Sequence, residues 1–131
     1  MLRLRRIDPK RSSEVAERLR EYVEEVVKVL NPRLIVLFGS FARGDVNEGS
    51  DIDLIVVADF QEEFLDRITL LMKMNRFRLP IEPIGYTPVE FEDMRTRRNT
   101  FIEEALQTGR ILYGALDCLW QNWNLRQTDL H

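Results

Sequence analysis

The chain has a single cysteine, Cys118, and a single histidine, His131. One cysteine rules out an intrachain disulfide and suits a reducing compartment. His131 is the last residue and is given no catalytic role. No stretch approaches the roughly 18 uninterrupted apolar residues of a membrane span, and the N-terminus lacks the long apolar segment of a secretory signal. A strong charge of one sign is missing too. With 19 basic and 22 acidic residues the net charge is −3, which implies no global attraction to nucleic acid. Internal repeats and low-complexity segments are absent. These absences point to a soluble cytoplasmic protein that requires neither a membrane nor a nucleic acid.

The composition that remains is globular: 131 residues, 44% hydrophobic and 31% charged. That is enough for one core and too little for a second folded module. Charge is unevenly spread. Arg3, Arg5, Arg6, Lys10 and Arg11 crowd the N-terminus against Asp8, and Arg95, Arg97 and Arg98 form a second basic cluster. Solvated faces explain both clusters more simply than a surface for nucleic acid or an acidic partner does.

Val15, Leu19, Tyr22, Val23, Val26 and Leu30 fall at helical spacing and predict a helix from residue 12 or 13 to about 30, with Ser13 as its cap. Asn31-Pro32 ends it, because the residue before proline resists the helical region. Arg33 to Phe38 and Ile52 to Val57 read as strands, and Phe60 to Phe77 as a helix with Phe64, Ile68, Leu71, Met72 and Asn75 on one face. Leu79 to Tyr86 is extended, and its prolines suit an edge strand. Thr87-Pro88-Val89-Glu90 is a capping box with proline at the first helical position. Thr100 and Glu103 repeat the box ahead of a last helix ended by Gly109, and Arg110 to Tyr113 adds a short strand. The expected class is α+β (mixed α/β), a small mixed sheet flanked by helices. Residues 1–114 would form the domain. The tail, 115–131, carries Leu116, Leu119, Trp120 and Trp123 on one potential helical face, for packing on the domain or on a partner.

The most informative stretch runs from Gly39-Ser40 through Arg43-Gly44 to Ser50-Asp51-Ile52-Asp53. A Gly-Ser turn follows one apolar strand, and two carboxylates open the next. Successive strand side chains alternate faces, so Asp51 and Asp53 project from the same one. Such a pair repels unless a cation, typically a divalent metal, lies between its members. A small turn exposing backbone N–H groups can cradle phosphate. Metal plus phosphate suggests phosphoryl or nucleotidyl transfer. Gly-Ser and Asp-x-Asp at one fixed separation would occur by chance on the order of once per several hundred chains of this length. A plain glycine loop with two solvated aspartates therefore remains as the bland alternative.

This segment resembles the nucleotidyltransferase signature of the DNA polymerase beta superfamily. It is most similar to the minimal, antitoxin-type members, the MNT proteins that pair with HEPN toxins. The likeness covers roughly Leu34 to Gly114 in the order of elements, with its specific part from Gly39 to Asp53. The resemblance implies ATP as substrate and two magnesium ions held by Asp51 and Asp53. It also implies a third carboxylate from a later strand, carried here by Glu82, the only acid in the predicted third strand. Many relatives have aspartate there, and Pro83 stands beside this glutamate. Gly39, Ser40 and Arg43 would hold the triphosphate, and Ser50 would shape the turn into the aspartate strand. Gly44 and Gly49 read as conformational, and Lys73 and Arg76 as a solvated helix face.

Little chain is left for an acceptor-binding domain once the sheet is built. The leading expectation is thus an adenylyltransferase acting on a hydroxyl of a partner protein; in MNT–HEPN pairs the resemblance implies AMP placed on a toxin tyrosine. The alternatives are an antitoxin acting by contact alone and a small-molecule nucleotidyltransferase working as a homodimer.

Overall fold

The computed structural model describes residues 9–43 and 51–116, without the side chains of residues 9–13, Ser40 and Arg43. Ser50, the N-terminal arginines, Gly44, Gly49 and the tryptophans of the tail lie outside the described residues. The elements follow in the order α1 (Pro9–Leu30), β1 (Leu34–Phe38), α2 (Gly39–Arg43), β2 (Ile52–Val57), α3 (Phe64–Lys73), β3 (Ile81–Tyr86), α4 (Pro88–Thr96), α5 (Thr100–Thr108) and β4 (Arg110–Gly114).

Local chemistry sets most boundaries. α1 begins at Pro9 rather than at residue 12 or 13, since proline has its φ pre-set for a first helical turn and loses no needed donor there. It ends at Asn31, whose φ is 47° and whose N–H donates to the Val27 carbonyl at 3.0 Å. Asparagine tolerates this left-handed cap. α3 is shorter than the periodicity suggests. Asn75 does not continue its apolar face but staples the following loop: its amide donates to the Leu79 carbonyl at 2.7 Å and accepts from the Leu79 N–H at 3.3 Å. The Thr87/Glu90 capping box forms as the sequence expects. The box expected at Thr100 does not; Asn99 is the cap, its side chain accepting from Ile102 N–H at 3.2 Å.

The strands form one sheet in the order β3-β2-β1-β4. β1 pairs antiparallel with β2 and β4, while β2 and β3 run parallel, with α3 between them in sequence. Ile35 and Leu37 of β1 and Ile52, Leu54 and Val56 of β2 pack with Leu19, Tyr22, Val23 and Val26 of α1 and Leu71 of α3. The alternate residues, Leu34, Val36, Ile55 and Val57, pack with Phe91 of α4 and with Ile102 and Ala105 of α5. Covered on both faces, β1 and β2 read as continuous apolar runs instead of alternating ones. Tyr22 crosses between the helices of the first layer and donates its buried hydroxyl to the Leu71 carbonyl at 2.8 Å. Burial raises the phenol well above its ordinary range. The fold is the small mixed α+β sheet that the sequence implies.

Candidate active site

Parallel pairing places Asp53 opposite Glu82, and antiparallel pairing places it opposite Phe38. Opposed residues share a face, so the side chains of Phe38, Asp53 and Glu82 emerge together from the α4/α5 face of the sheet. Asp51, two residues before Asp53, stands at the mouth of β2. Asp51 and Glu82 are exposed and Asp53 is half-buried. Side chains from β2 and from the edge strand β3 thereby meet at one end of the sheet.

The charges feel one another. The negative charge of Asp51, then that of Asp53, holds the Glu82 carboxyl above its usual range, and Glu82 also shares hydrogen bonds with both. Among the described residues, no three His, Cys, Asp or Glu side chains already converge as a metal-holding set. The donor chemistry nevertheless suits a hard cation: three carboxylates, all oxygen, with mutual repulsion that positive charge would relieve.

Gly39 closes the other side. It follows Phe38 directly and has a φ of +74°, a conformation L side chains rarely adopt. A Cβ there would stand 3.2 Å from Asp53 Cγ and nearer still to Oδ2. The backbone therefore touches the Asp53 carboxylate in a way no other residue permits. Gly39 and Ser40 open the one-turn helix α2 rather than a simple turn, and Arg43 ends it. Ser40 thus directly follows the residue whose backbone meets the Asp53 carboxylate.

Sequence reasoning missed Arg67. It lies on the apolar face of α3, between Phe64 and Leu71, and is only 7% exposed. Its Nε donates to the Glu62 carbonyl at 2.8 Å, and its Nη1 to Glu90 Oε1 at 2.6 Å and to the Gly85 carbonyl at 3.3 Å. The guanidinium also lies 5.5 Å from the Phe60 ring centroid. Arg67 thus fixes β3, the strand that carries Glu82, against α3 and α4. A charge at the i+3 position of an apolar helical stripe was the available signal. By contrast, Arg95 and Arg97 pair with Glu92 and Asp93 of their own helix, and Arg76 pairs with Glu25. Arg76 and Arg97 belong to solvated faces, whereas the Arg95–Glu92 pair is partly buried.

The side chain of Phe38 meets that of Phe101, the second residue of α5, edge to face with ring centroids 5.3 Å apart. A cavity of about 600 Å³ lies on the opposite face, between α1 and β4, lined by residues such as Leu19, Val23, Val27 and Leu112. Its lining holds a single acid, Glu24, and the chemistry is at the carboxylate end instead.

Comparison with known proteins gives a family and a fold. Residues 17–116 match the family described as Polymerase beta, Nucleotidyltransferase. Putative protein adenylyltransferase MJ0604 of Methanocaldococcus jannaschii is 33% identical over 100 residues, 72% of this chain and 94% of that protein. Putative protein adenylyltransferase MJ0141 of the same organism is 26% identical over 98 residues, 73% of this chain and 96% of that protein. Among solved structures, a putative nucleotidyltransferase from Sulfolobus solfataricus superposes with a TM-score of 0.55 at 22% identity, covering 79% of this chain and 83% of the other. A toxin–antitoxin structure with AMP-PNP gives 0.52 at 19% identity, covering 89% and 87%. A MntA-HpeT toxin–antitoxin mutant gives 0.54 at 17%, covering 84% and 86%.

Proposed function

Because the chain belongs to the polymerase beta nucleotidyltransferase family, we propose that it transfers AMP from ATP to a hydroxyl on a partner protein and thereby acts as an antitoxin. The observation that carries this reading is the meeting of Asp51, Asp53 and Glu82 beside the Gly39 backbone. The names of the curated relatives, protein adenylyltransferases, and the toxin–antitoxin fold neighbours support the choice of acceptor and role. The partner we favour is a HEPN-type toxin presenting a tyrosine.

Asp51 and Asp53 would hold two magnesium ions, with Glu82 completing the oxygen donors. When bound, these ions supply positive charge to the attacking and leaving oxygens of an in-line displacement. The acceptor oxygen forms a bond to the α-phosphorus of ATP, and the bond to the bridging oxygen of pyrophosphate breaks. Glu82, opposite Asp53 in the parallel register, takes the proton of the attacking hydroxyl. Gly39 leaves room for phosphate oxygens at its backbone. Ser40 donates to the terminal phosphates, Arg43 neutralises the departing pyrophosphate, and Ser50 shapes the entry to β2.

The test is intact-mass spectrometry of the protein encoded by the neighbouring gene after incubation with ATP, magnesium and this chain. Addition of one or more AMP units, abolished by Asp53→Asn, is the expected result. A stable complex without a mass shift would mean an antitoxin that works by contact. No complex, with transfer to a small alcohol, would mean a small-molecule enzyme.

A further inference from the structure

Two aromatic side chains of the described residues stand out from the surface as large exposed apolar groups, Phe64 at 40% and Phe101 at 37%. They sit at opposite ends of the sheet. Phe64 packs on Tyr86, which pairs with Val57, four residues along from the Asp53–Glu82 pair. Phe101 packs on Phe38, which opposes Asp53 and precedes Gly39.

Phe101 is also held in place. Asn99 caps its helix through the Ile102 N–H, and Ile102 and Ala105 are buried in the sheet face that bears Asp53. Its ring packs nearly perpendicular to that of Phe38, at an interplanar angle of 88°. A partly open aromatic ring, packed on Phe38 next to the Gly39 backbone, has the features of a stacking platform for a planar heteroaromatic group.

Strand order decides which substrate it faces. Across the sheet the groups run Glu82 on β3, Asp53 on β2, then Phe38 on β1 with Phe101 above it. Glu82 marks the acceptor side in the reading above, on which this inference rests. Phe101 lies across Asp53 from it, on the side left for the nucleoside. We infer that Phe101, braced by Phe38, stacks the nucleobase of the triphosphate substrate and contributes to its affinity without contacting its phosphates.

The experiment compares binding of ATP and of inorganic tripolyphosphate, each with magnesium, to the wild type and to Phe101→Ala, Phe101→Leu and Phe101→Tyr. Losing one base–aromatic stack weakens binding by about five- to 150-fold. Phe101→Ala and Phe101→Leu should show that loss for ATP and hold tripolyphosphate within about twofold, and Phe101→Tyr should restore ATP affinity. The tripolyphosphate arm also reports that each variant is folded. Equal losses for both ligands, or no loss for either, would overturn the stacking role. Unchanged ATP affinity with slower modification of the acceptor would place Phe101 on the acceptor side and overturn it as well. Failure of the wild type to bind either ligand would instead sink the nucleotidyl-transfer reading itself.

Discussion

Replacing Gly39 by alanine tests the closest contact in the site. Two costs separate cleanly. The backbone cost arises because a residue with a Cβ is forced into the left-handed region at φ +74°, roughly 1–2 kcal/mol. At about 4 °C per kcal/mol for a chain of this size, the melting temperature should fall by roughly 4–8 °C. The site cost is larger. Ordinary carbon–oxygen contacts lie at about 3.3 Å or beyond, whereas the new Cβ would fall at 3.2 Å from Asp53 Cγ and inside that limit for Oδ2. The carboxylate must then retreat by on the order of 1 Å, a displacement that can cost about 10²-fold in rate. The assay is AMP transfer together with manganese titration, both run well below the variant's melting temperature. Transfer within about threefold of wild type, with unchanged manganese affinity, would refute the idea that the Gly39 backbone sets the position of Asp53.

The remaining expectations concern the carboxylates and the strand that carries one of them. Asp51→Asn combined with Asp53→Asn should strongly weaken magnesium or manganese binding by calorimetry; unchanged affinity would move the metal site elsewhere. Glu82→Gln should slow transfer by at least ~10²-fold with nucleotide affinity nearly intact, as general-base loss does, and near-normal transfer would make it an ordinary edge-strand residue. Arg67→Met removes three hydrogen bonds and leaves the Gly85 carbonyl without that donor, a loss of about 2–4 kcal/mol, so melting should drop by roughly 10 °C; a drop under about 2 °C would contradict its role. Glu90 responds to pH. Burial alone would raise its carboxyl, but the Thr87 N–H and Arg67 outweigh this and hold it below the ordinary 4.5. Its contribution is full above that value and is lost as pH falls through the lowered one, so the stability gap between wild type and Glu90→Gln should shrink on acidification. With the side chain 45% exposed, that gap should be under about 1 kcal/mol; a gap that widens in acid would reverse the assignment.

Much of this arrangement was legible in the residues. β2 ran from Ile52 to Val57 as read, because a strand covered on both faces is a continuous apolar run. The prolines of β3 marked an edge, and the parallel register then brought Glu82 opposite Asp53. Two cap-competent residues in succession, Asn99 and Thr100, could not be ranked from sequence, since both side chains can satisfy a first-turn N–H. Asn75 fits a helical face by spacing, and only the fold reveals the Leu79 backbone it binds instead. Arg67 was hidden for a related reason: a charge is read as solvated until partners from β3 and α4, distant in sequence, are known. Strand order was equally silent, because the sequence offers no signal that β4 returns to the flank of β1.

The edge position of β3 bears on how larger assemblies can form. An open strand edge invites another chain to add a strand by main-chain hydrogen bonding. Here the edge carries Pro83, which has no N–H to offer, next to the negative side chain of Glu82. An incoming strand would lose a ladder bond at Pro83. β3 is therefore guarded against both strand exchange and edge-to-edge aggregation.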